Sequence, residues 1–287
     1  MSRIQKATKQ KSKLRVLVEG ASGAGKTYSA LLLAKPFGKV CVIDTECGSA
    51  SLYADKFEFD VLELSAPFSP EAYIEAIQEV EQAGYDVVVI DSIAPEWSGV
   101  GGCLDIQNKL GGRYTDWAKV SPRHQRFIDS IIQSSIHVVA TCRSKADYKM
   151  DETTKKVTKA GTAPQQRDGL DYEFTTVFAL NQNHMAEATK DRTSLFDGKE
   201  HIISEKTGET LIAWLNNGKE PTAPPKQLLK TSDPFVIEMN KLKTKLGDEA
   251  FNEVLTKHGH QSVDSITDRN DQIQIYSELM KTEPVTA

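Results

Sequence analysis

Residues 14–27 read LRVLVEGASGAGKT, and this stretch decides the fold. The apolar run from Leu14 to Val18 predicts a strand, and Gly20 to Thr27 matches the pattern G-x-x-x-x-G-K-[ST] in full. The residues from Thr27 to Lys35 predict a helix directly after it. A glycine-rich loop between a strand and a helix turns its backbone N–H groups toward phosphate. The stretch therefore predicts a nucleotide-binding P-loop.

Each residue type in the P-loop has a chemical reason to be there. The predicted phosphate site consists of Gly20, Ala21, Ser22, Gly23, Ala24, Gly25, Lys26 and Thr27. Lys26 is expected to neutralise charge on the β- and γ-phosphates, and the Thr27 hydroxyl is expected to bind Mg²⁺. Asp91 ends the apolar run DVVVID at residues 86–91, where P-loop enzymes carry a second Mg²⁺ ligand. ATP and Mg²⁺ are thus the expected cofactors.

Short Val/Ile/Leu runs alternate with helical stretches along the first three quarters of the chain. This pattern predicts an α/β fold with a mainly parallel sheet flanked by helices. The further predicted strands are 40–43, 87–90, 137–141 and 175–180. A helix is predicted over 70–83, and another is predicted to start with Ser121 as N-cap and Pro122 as its first residue. Residues 98–120 and 144–170 are predicted to be long loops.

Composition limits the class of protein. The chain has 287 residues with 39% hydrophobic and 26% charged positions, which excludes collagen-like and wholly disordered chains. No apolar run approaches the length of a membrane span, so no membrane contact and a cytoplasmic location are expected, in a host cell if a phage encodes the chain. The predicted domains are a basic tail (1–13), a P-loop core (14–218), a Pro-rich linker (219–230) and a small acidic helical unit (231–287).

The second predicted strand carries further site residues. It continues as VIDTE at 42–46, and a Tyr53-Ala54 pair stands seven residues after Glu46. In both respects the chain resembles the RecA-type recombinase ATPases. The resemblance implies that Glu46 activates the attacking water and that Tyr53 stacks on adenine. The acid that contacts the adenine amino group in that family is replaced by Ala50, so the preference for adenine stays open.

Two later segments resemble the same ATPases. Thr189 to Arg192 reads TKDR and is similar to the Lys-x-Arg element that reaches a neighbouring subunit's γ-phosphate in RecA-core hexameric helicases. The resemblance implies that Lys190 and Arg192 act in catalysis across a subunit boundary; a solvated charged turn is the alternative. Thr141 and Arg143, at the end of the strand predicted over 137–141, are expected to sense the γ-phosphate.

Over residues 14–215 the chain is most similar to the phage-borne RecA-core ATPases of the Sak type. The motifs GASGAGKT, VIDTE and DVVVIDS and the segment QRDGLDYEF at 166–174 carry this resemblance. It implies an ATPase stimulated by single-stranded DNA that acts as an oligomer in phage homologous recombination or single-strand annealing. A ring or a filament, and a single-strand DNA-binding protein as further partner, are both left open.

The two predicted long loops correspond to the DNA-binding loops of RecA-like proteins. The segment from Arg143 to Arg167 holds seven basic and three acidic residues, although the chain has a net charge of −5. Cations and aromatic rings together favour phosphate contact and base stacking. The predicted DNA-binding residues are Lys109, Arg113 and Tyr114 in the first loop, and Lys145, Lys149, Lys155, Lys156, Lys159 and Arg167 in the second.

Two other function classes stay open at this stage. A small-molecule or nucleotide kinase would use the same P-loop for phosphoryl transfer to a metabolite. A regulatory ATPase would act on a protein partner, with the acidic helical unit as its contact. Single-stranded DNA would stimulate hydrolysis by a recombination ATPase, and a kinase would require a metabolite. A regulatory ATPase would respond to neither.

Overall fold

The computed structural model describes residues 6–150, 157–219, 234–260, 262–263, 266 and 269–281. The chain divides into two compact units, residues 1–220 and 221–287. The larger unit contains the P-loop and is built on one sheet, whereas the described part of the smaller unit is helical. In the described part of the chain, no helix is both long enough and apolar enough to cross a membrane.

The sheet of the larger unit is mixed but mostly parallel. Its strands are β1 (Arg15–Gly20), β2 (Val40–Asp44), β3 (Asp60–Glu63), β4 (Val87–Asp91), β5 (His137–Met150), β6 (Val157–Pro164), β7 (Thr176–Leu180), β8 (Met185–Asp191) and β9 (Glu200–Ile202). The order across the sheet is β3-β2-β4-β5-β1-β7-β8-β9, and β6 pairs only with β5. Strands β3 to β7 in this order run parallel, and β8 and β9 are antiparallel.

Helices cover both faces of this sheet. They are α1 (Lys26–Ala34), α2 (Pro70–Gln82), α3 (Ala94–Ser98), α4 (Cys103–Lys109), α5 (Trp117–Gln133) and α6 (Glu205–Asn216). Leu31 and Leu33 of α1 pack with Leu211 of α6 on one face, and Ile77 of α2 packs with Phe127 of α5 on the other. The structure therefore confirms the predicted α/β fold with a mainly parallel sheet between helices.

The central strands consist of apolar residues because both sheet faces are covered. Along β4, Val87 and Val89 belong to the α1 face, while Val88 and Ile90 belong to the α2 face. All five residues of β4 are buried. Successive side chains of a strand point to opposite faces, so a strand between two helical layers needs an apolar residue at nearly every position. This requirement explains why the predicted strands match β1, β2, β4 and β7 to within two residues, whereas β5 extends nine residues past its predicted end.

The prediction of a long loop over 144–170 is wrong. Strand β5 continues beyond the sheet to Met150 and pairs antiparallel with β6 as a hairpin, from Ser144 opposite Pro164 to Met150 opposite Val157. The hairpin lacks the apolar runs of the core strands because it extends past the helical layers. The hairpin forms through backbone pairing between β5 and β6. The side-chain pattern of a polar strand does not reveal such pairing.

The first predicted loop and the predicted start of α5 are also wrong. Residues 98–120 contain α4 and the first turn of α5. Helix α5 begins at Trp117, so Pro122 is its sixth residue and Ser121 is not an N-cap. A proline there costs about one backbone hydrogen bond, and the buried Val120 and the ring of Trp117, stacked on Trp97, hold the first turn in place.

The smaller unit has its own core. Helices α7 (Pro234–Leu246), α8 (Asp248–Lys257) and α9 (Arg269–Leu279) surround a cluster that includes Met239, Phe251 and Ile275. Apart from Lys219, the predicted linker 219–230 lies outside the described residues. The described part of the basic tail lies against α6, where Lys9 donates to the backbone oxygen of Trp214 over 2.8 Å.

Candidate nucleotide-binding site

The P-loop turns sharply between β1 and α1, and its glycines are required by geometry. Gly23 and Gly25 have φ angles of +80° and +89°, which residues with a side chain rarely adopt. A Cβ atom at Gly25 would lie 3.0 Å from Nδ1 of His184, and one at Gly20 would lie 3.0 Å from the backbone oxygen of Leu180. The loop can therefore close tightly only with glycine at these positions. Its backbone leads into the amino end of α1, where N–H groups are unpaired.

Lys26, the first residue of α1, folds back over this loop. Its Nζ donates a 3.0 Å hydrogen bond to the backbone oxygen of Ala21. Burial lowers the pKa of Lys26, and the nearby carboxylates of Asp91 and Glu46 only partly offset this effect. The ammonium group thus lies in a partly desolvated position where an incoming phosphate would be a better partner than a single carbonyl.

Asp91 is held by two threonine hydroxyls. Thr27 Oγ1 donates to Asp91 Oδ2 over 2.6 Å, and Thr141 Oγ1 donates to Asp91 Oδ1 over 2.5 Å. Burial raises the pKa of Asp91 even though both hydroxyls favour its charged form. A bound cation would relieve this desolvation. The oxygen donors of Thr27 and Asp91 suit the hard ion Mg²⁺, so these residues fit the expected metal.

Glu46 lies next to Asp91 and is held by an arginine. Nε and Nη2 of Arg143 both donate to Oε1 of Glu46, over 3.1 and 2.9 Å, and Ser92 Oγ lies 3.4 Å from the same oxygen. The Glu46 side chain is 26% exposed and that of Arg143 is 55% exposed. Water can therefore reach this carboxylate. The contact between Arg143 and Glu46 was not predicted, because their separation in sequence gives no pattern.

A cleft of about 780 Å³ joins these groups. It is lined by residues that include Lys26, Thr27, Glu46, Tyr53 and Asp91. Tyr53 meets Tyr28 edge to face, with ring centroids 5.6 Å apart, so the two rings form an aromatic wall on one side. The volume lies within the range of small-molecule sites. Charged groups at one end and aromatic rings at the other suit a nucleotide.

The turn between β7 and β8 also reaches the P-loop, and it was missed by the sequence analysis. Gln182 Nε2 donates to the backbone oxygen of Ser22 over 3.2 Å, and His184 Nδ1 lies 3.1 Å from that of Ala24. His184 itself has a φ of +62°. The polar sequence NQNH at 181–184 indicates a turn, but nothing in it identifies the loop that the turn contacts.

A scan of protein-family models agrees with this geometry. The model of an AAA domain family matches residues 12–212, which is more than two thirds of the chain. The chain belongs to this family. Its AAA domain is a P-loop ATPase domain, and the match covers the whole sheet and every residue of the cleft described above. No curated protein matches the chain.

The AAA domain holds Lys190 and Arg192 at the sheet edge opposite the P-loop of the same chain. In the antiparallel pairing, Lys190 stands opposite Val177, near the amino end of β7. Lys190 Nζ donates to the backbone oxygen of Asp171 over 2.7 Å, and Arg192 Nη2 donates to that of Tyr172 over 3.0 Å. These two cationic groups therefore lie away from the nucleotide cleft of their own chain. Action on a neighbouring subunit stays a prediction.

The predicted DNA-binding residues fall into three groups. Tyr114 is 89% exposed, Arg113 and Arg167 are exposed, and Lys109 forms an ion pair of 2.8 Å with Asp105. Lys145, Lys149 and Lys159 lie in the strands of the β5–β6 hairpin. Lys155 and Lys156 lie outside the described residues. Tyr114 and Arg167 lie close to Trp97 of α3, the helix that follows β4.

Glu96, Cys103, His124 and Gln166 form a buried polar cluster. Cys103 Sγ and His124 Nδ1 each lie 3.1 Å from Glu96 Oε1, and Gln166 Nε2 donates to Glu96 Oε2 over 3.1 Å. Burial and the Glu96 carboxylate raise the pKa of the Cys103 thiol. The three side chains Glu96, Cys103 and His124 are of types that bind metal ions, but their hydrogen bonds already satisfy the carboxylate. Glu96 is therefore a fully buried carboxylate that links Cys103 of α4, His124 of α5 and Gln166 through hydrogen bonds.

Proposed function

We propose that this AAA domain protein hydrolyses ATP with Mg²⁺ and acts as an oligomer on single-stranded DNA, in phage homologous recombination or single-strand annealing. Its hydrolysis would be stimulated by that DNA. The observation that carries the proposal is the course of β5. This strand holds Thr141, which contacts Asp91, and Arg143, which contacts Glu46, before it leaves the sheet as one side of the β5–β6 hairpin. The nucleotide site and a basic hairpin thus share one strand.

The charge distribution supports DNA as the ligand of the hairpin. Seven of the residues from 143 to 167 are basic and three are acidic, in a chain with a net charge of −5. A local excess of cations on an otherwise acidic protein favours a polyanion at that place. Tyr114, which is exposed and lines a cavity together with Arg167, adds a ring on which a base can stack.

In the proposed reaction each side chain of the cleft has one role. The P-loop N–H groups and Lys26 hold the phosphates, Thr27 and Asp91 hold Mg²⁺, and Glu46 accepts the proton of the attacking water. The bound metal would neutralise charge that develops on the phosphates. Arg143 pairs with Glu46 over 2.9 Å and lines the same cleft, and the proposal assigns it a contact with the γ-phosphate.

Oligomerisation has its own support. Lys190 and Arg192 point their cationic groups at the backbone of residues 171–172, away from the nucleotide cleft of their own chain. A cation that a neighbour inserts beside the γ-phosphate raises hydrolysis by about 10³- to 10⁵-fold in related chemistry. The proposal assigns this role to Lys190 and Arg192 across a subunit boundary, in a ring or a filament.

The proposal is tested by phosphate release with and without single-stranded DNA. Stimulation is the expected result. A requirement for a metabolite would favour the kinase, and indifference to DNA and metabolites would favour the regulatory ATPase. Replacement of Lys155 and Lys156 together by Ala should flatten the log–log salt dependence of DNA binding by about 1.4 to 2. Replacement of the exposed Lys241 and Lys245 in α7 is the matched control and should leave the slope unchanged.

A further inference from the structure

A second cavity, of about 920 Å³, opens on the surface between α3, the start of α5 and residues 166–168. We call it the aromatic pocket. It is lined by Trp97, Tyr114, Trp117, Pro122, Gln166 and Arg167, among others. Trp97 comes from α3 and Trp117 from the start of α5, so two separate elements build its aromatic wall.

The wall is flat. The rings of Trp97 and Trp117 are stacked, with centroids 5.3 Å apart and an angle of 17° between their planes. The ring of His124, buried beneath, meets Trp97 edge to face at 5.3 Å. Tyr114 stands at the rim with 89% of its surface exposed. The exposed ring of Tyr114 beside the stacked pair leaves apolar surface in contact with water. A flat aromatic ligand would cover this surface.

The polar groups of the aromatic pocket narrow the class of ligand. Arg167 and Asp168 line its edge, and Thr115 and Ser121 add hydroxyl groups, so donors and acceptors surround the flat wall. The exposed cations Arg113 and Lys119 flank the pocket residues along the chain. A flat ring with a polar edge, attached to a negatively charged backbone, matches both features. Unpaired nucleobases in a single strand have this chemistry, whereas an apolar peptide would leave the polar edge unsatisfied.

The back of the pocket is tied to the catalytic strands. Gln166, which is 4% exposed, donates through Nε2 to the backbone oxygen of Ile93 over 3.1 Å and to Glu96 Oε2 over 3.1 Å. The N–H of Ile93 in turn donates to the backbone oxygen of Thr141 over 3.0 Å. Thr141 is one of the two threonines whose hydroxyl groups donate to the Asp91 carboxylate. The pocket is thus part of a fixed hydrogen-bonded framework that ends at the nucleotide site.

We propose that the aromatic pocket binds an unpaired nucleobase of the single strand, stacked on Tyr114 and the Trp97–Trp117 pair. This inference rests on the proposed function, because it supplies the base contact of the same DNA. It adds a site in which affinity depends on the presence of bases and not only on phosphate charge.

The test compares two oligonucleotides of about 20 residues at low salt, an oligothymidylate and a fully abasic strand with the same phosphate charge. Binding of each is measured by anisotropy of a terminal dye and by protein tryptophan fluorescence. The thymidylate strand is expected to bind more tightly and to quench the fluorescence, and the abasic strand is not expected to quench it. Trp214, in α6 and in the other core cluster, supplies the matched control: Trp214→Phe should keep the quenching.

Tyr114→Ala keeps the test independent of folding, because this side chain is almost fully exposed. It should weaken thymidylate binding by about 5- to 150-fold and leave abasic binding unchanged. Equal binding of both strands without quenching, or equal weakening of both by Tyr114→Ala, would overturn the pocket but leave DNA binding intact. Failure of both strands to bind would instead remove the proposed function itself.

Discussion

Glu19 is a buried acid next to the P-loop, and replacing it with glutamine should change stability in a pH-dependent way. Its side chain is 6% exposed, and in the described part of the chain Oε2 has no hydrogen-bond partner. Burial raises the pKa of Glu19 to about 7, and the nearby Asp171 adds to this shift. The folded chain therefore favours the uncharged acid.

The size of the effect follows from the two pKa values. Because the folded pKa lies above the unfolded value, the stability that Glu19 contributes is fully present below about pH 4.5 and is lost as the pH rises through about 7. Between about pH 5 and about pH 8, the wild type should lose about 2.5 kcal/mol of unfolding free energy from this group. Glu19→Gln has no charge to lose. The unfolding free energy of Glu19→Gln relative to the wild type should therefore be about 2.5 kcal/mol greater at about pH 8 than at about pH 5.

Urea unfolding followed by tryptophan fluorescence measures this difference. The three tryptophans, Trp97, Trp117 and Trp214, all lie in the unit of residues 1–220, so the signal reports on the domain that holds Glu19. Any cost of burying the amide applies at both pH values and cancels from the difference. Glu63→Gln, which changes an exposed acid of β3, is the control. If the unfolding free energies of Glu19→Gln and Glu63→Gln change equally between the two pH values, Glu19 does not have the raised pKa.

Two further predictions concern the nucleotide cleft. Lys26→Ala should abolish ATP binding, measured with a fluorescent nucleotide, because the P-loop loses its partly buried cation. Retained tight binding would contradict the site. The control is Lys35→Ala, which changes an exposed lysine after α1. Glu46→Gln should still bind ATP but release phosphate about 10²- to 10⁴-fold more slowly, since an amide cannot accept the proton of water. Unchanged turnover would exclude Glu46 as the base.

Much of the fold could be predicted because the signals are local. The buried strands show apolar residues at nearly every position, and the P-loop pattern stands between its strand and helix. Parallel strands end at one sheet edge, so Lys26, Glu46 and Asp91 could be expected to lie together before any distance was known. The cleft that they line has this arrangement.

What could not be predicted depends on contacts distant in sequence. The β5–β6 hairpin is polar and has no apolar period, so only its backbone pairing distinguishes it from a loop. Arg143 of β5 pairs with Glu46, which follows β2, and β4 lies between these two strands in the sheet. The start of α5 was placed too late because Pro122 is a strong local signal for a first turn, and the packing of Trp117 on Trp97 outweighs it.

Under the proposed function, the course of β5 offers a direct route by which a ligand of the hairpin would influence hydrolysis. Thr141 and Arg143 are two positions apart, so the period of the strand places both on the face that holds Asp91 and Glu46. One residue later, at Ser144, the backbone leaves its pairing with β1 and begins to pair with β6. A strand resists local bending more than a loop does, and a slip of one residue would turn both side chains away from the site. Under the proposed function, a ligand that moves the hairpin would therefore move Thr141 and Arg143 together, beside the two carboxylates that are proposed to hold Mg²⁺ and to activate water.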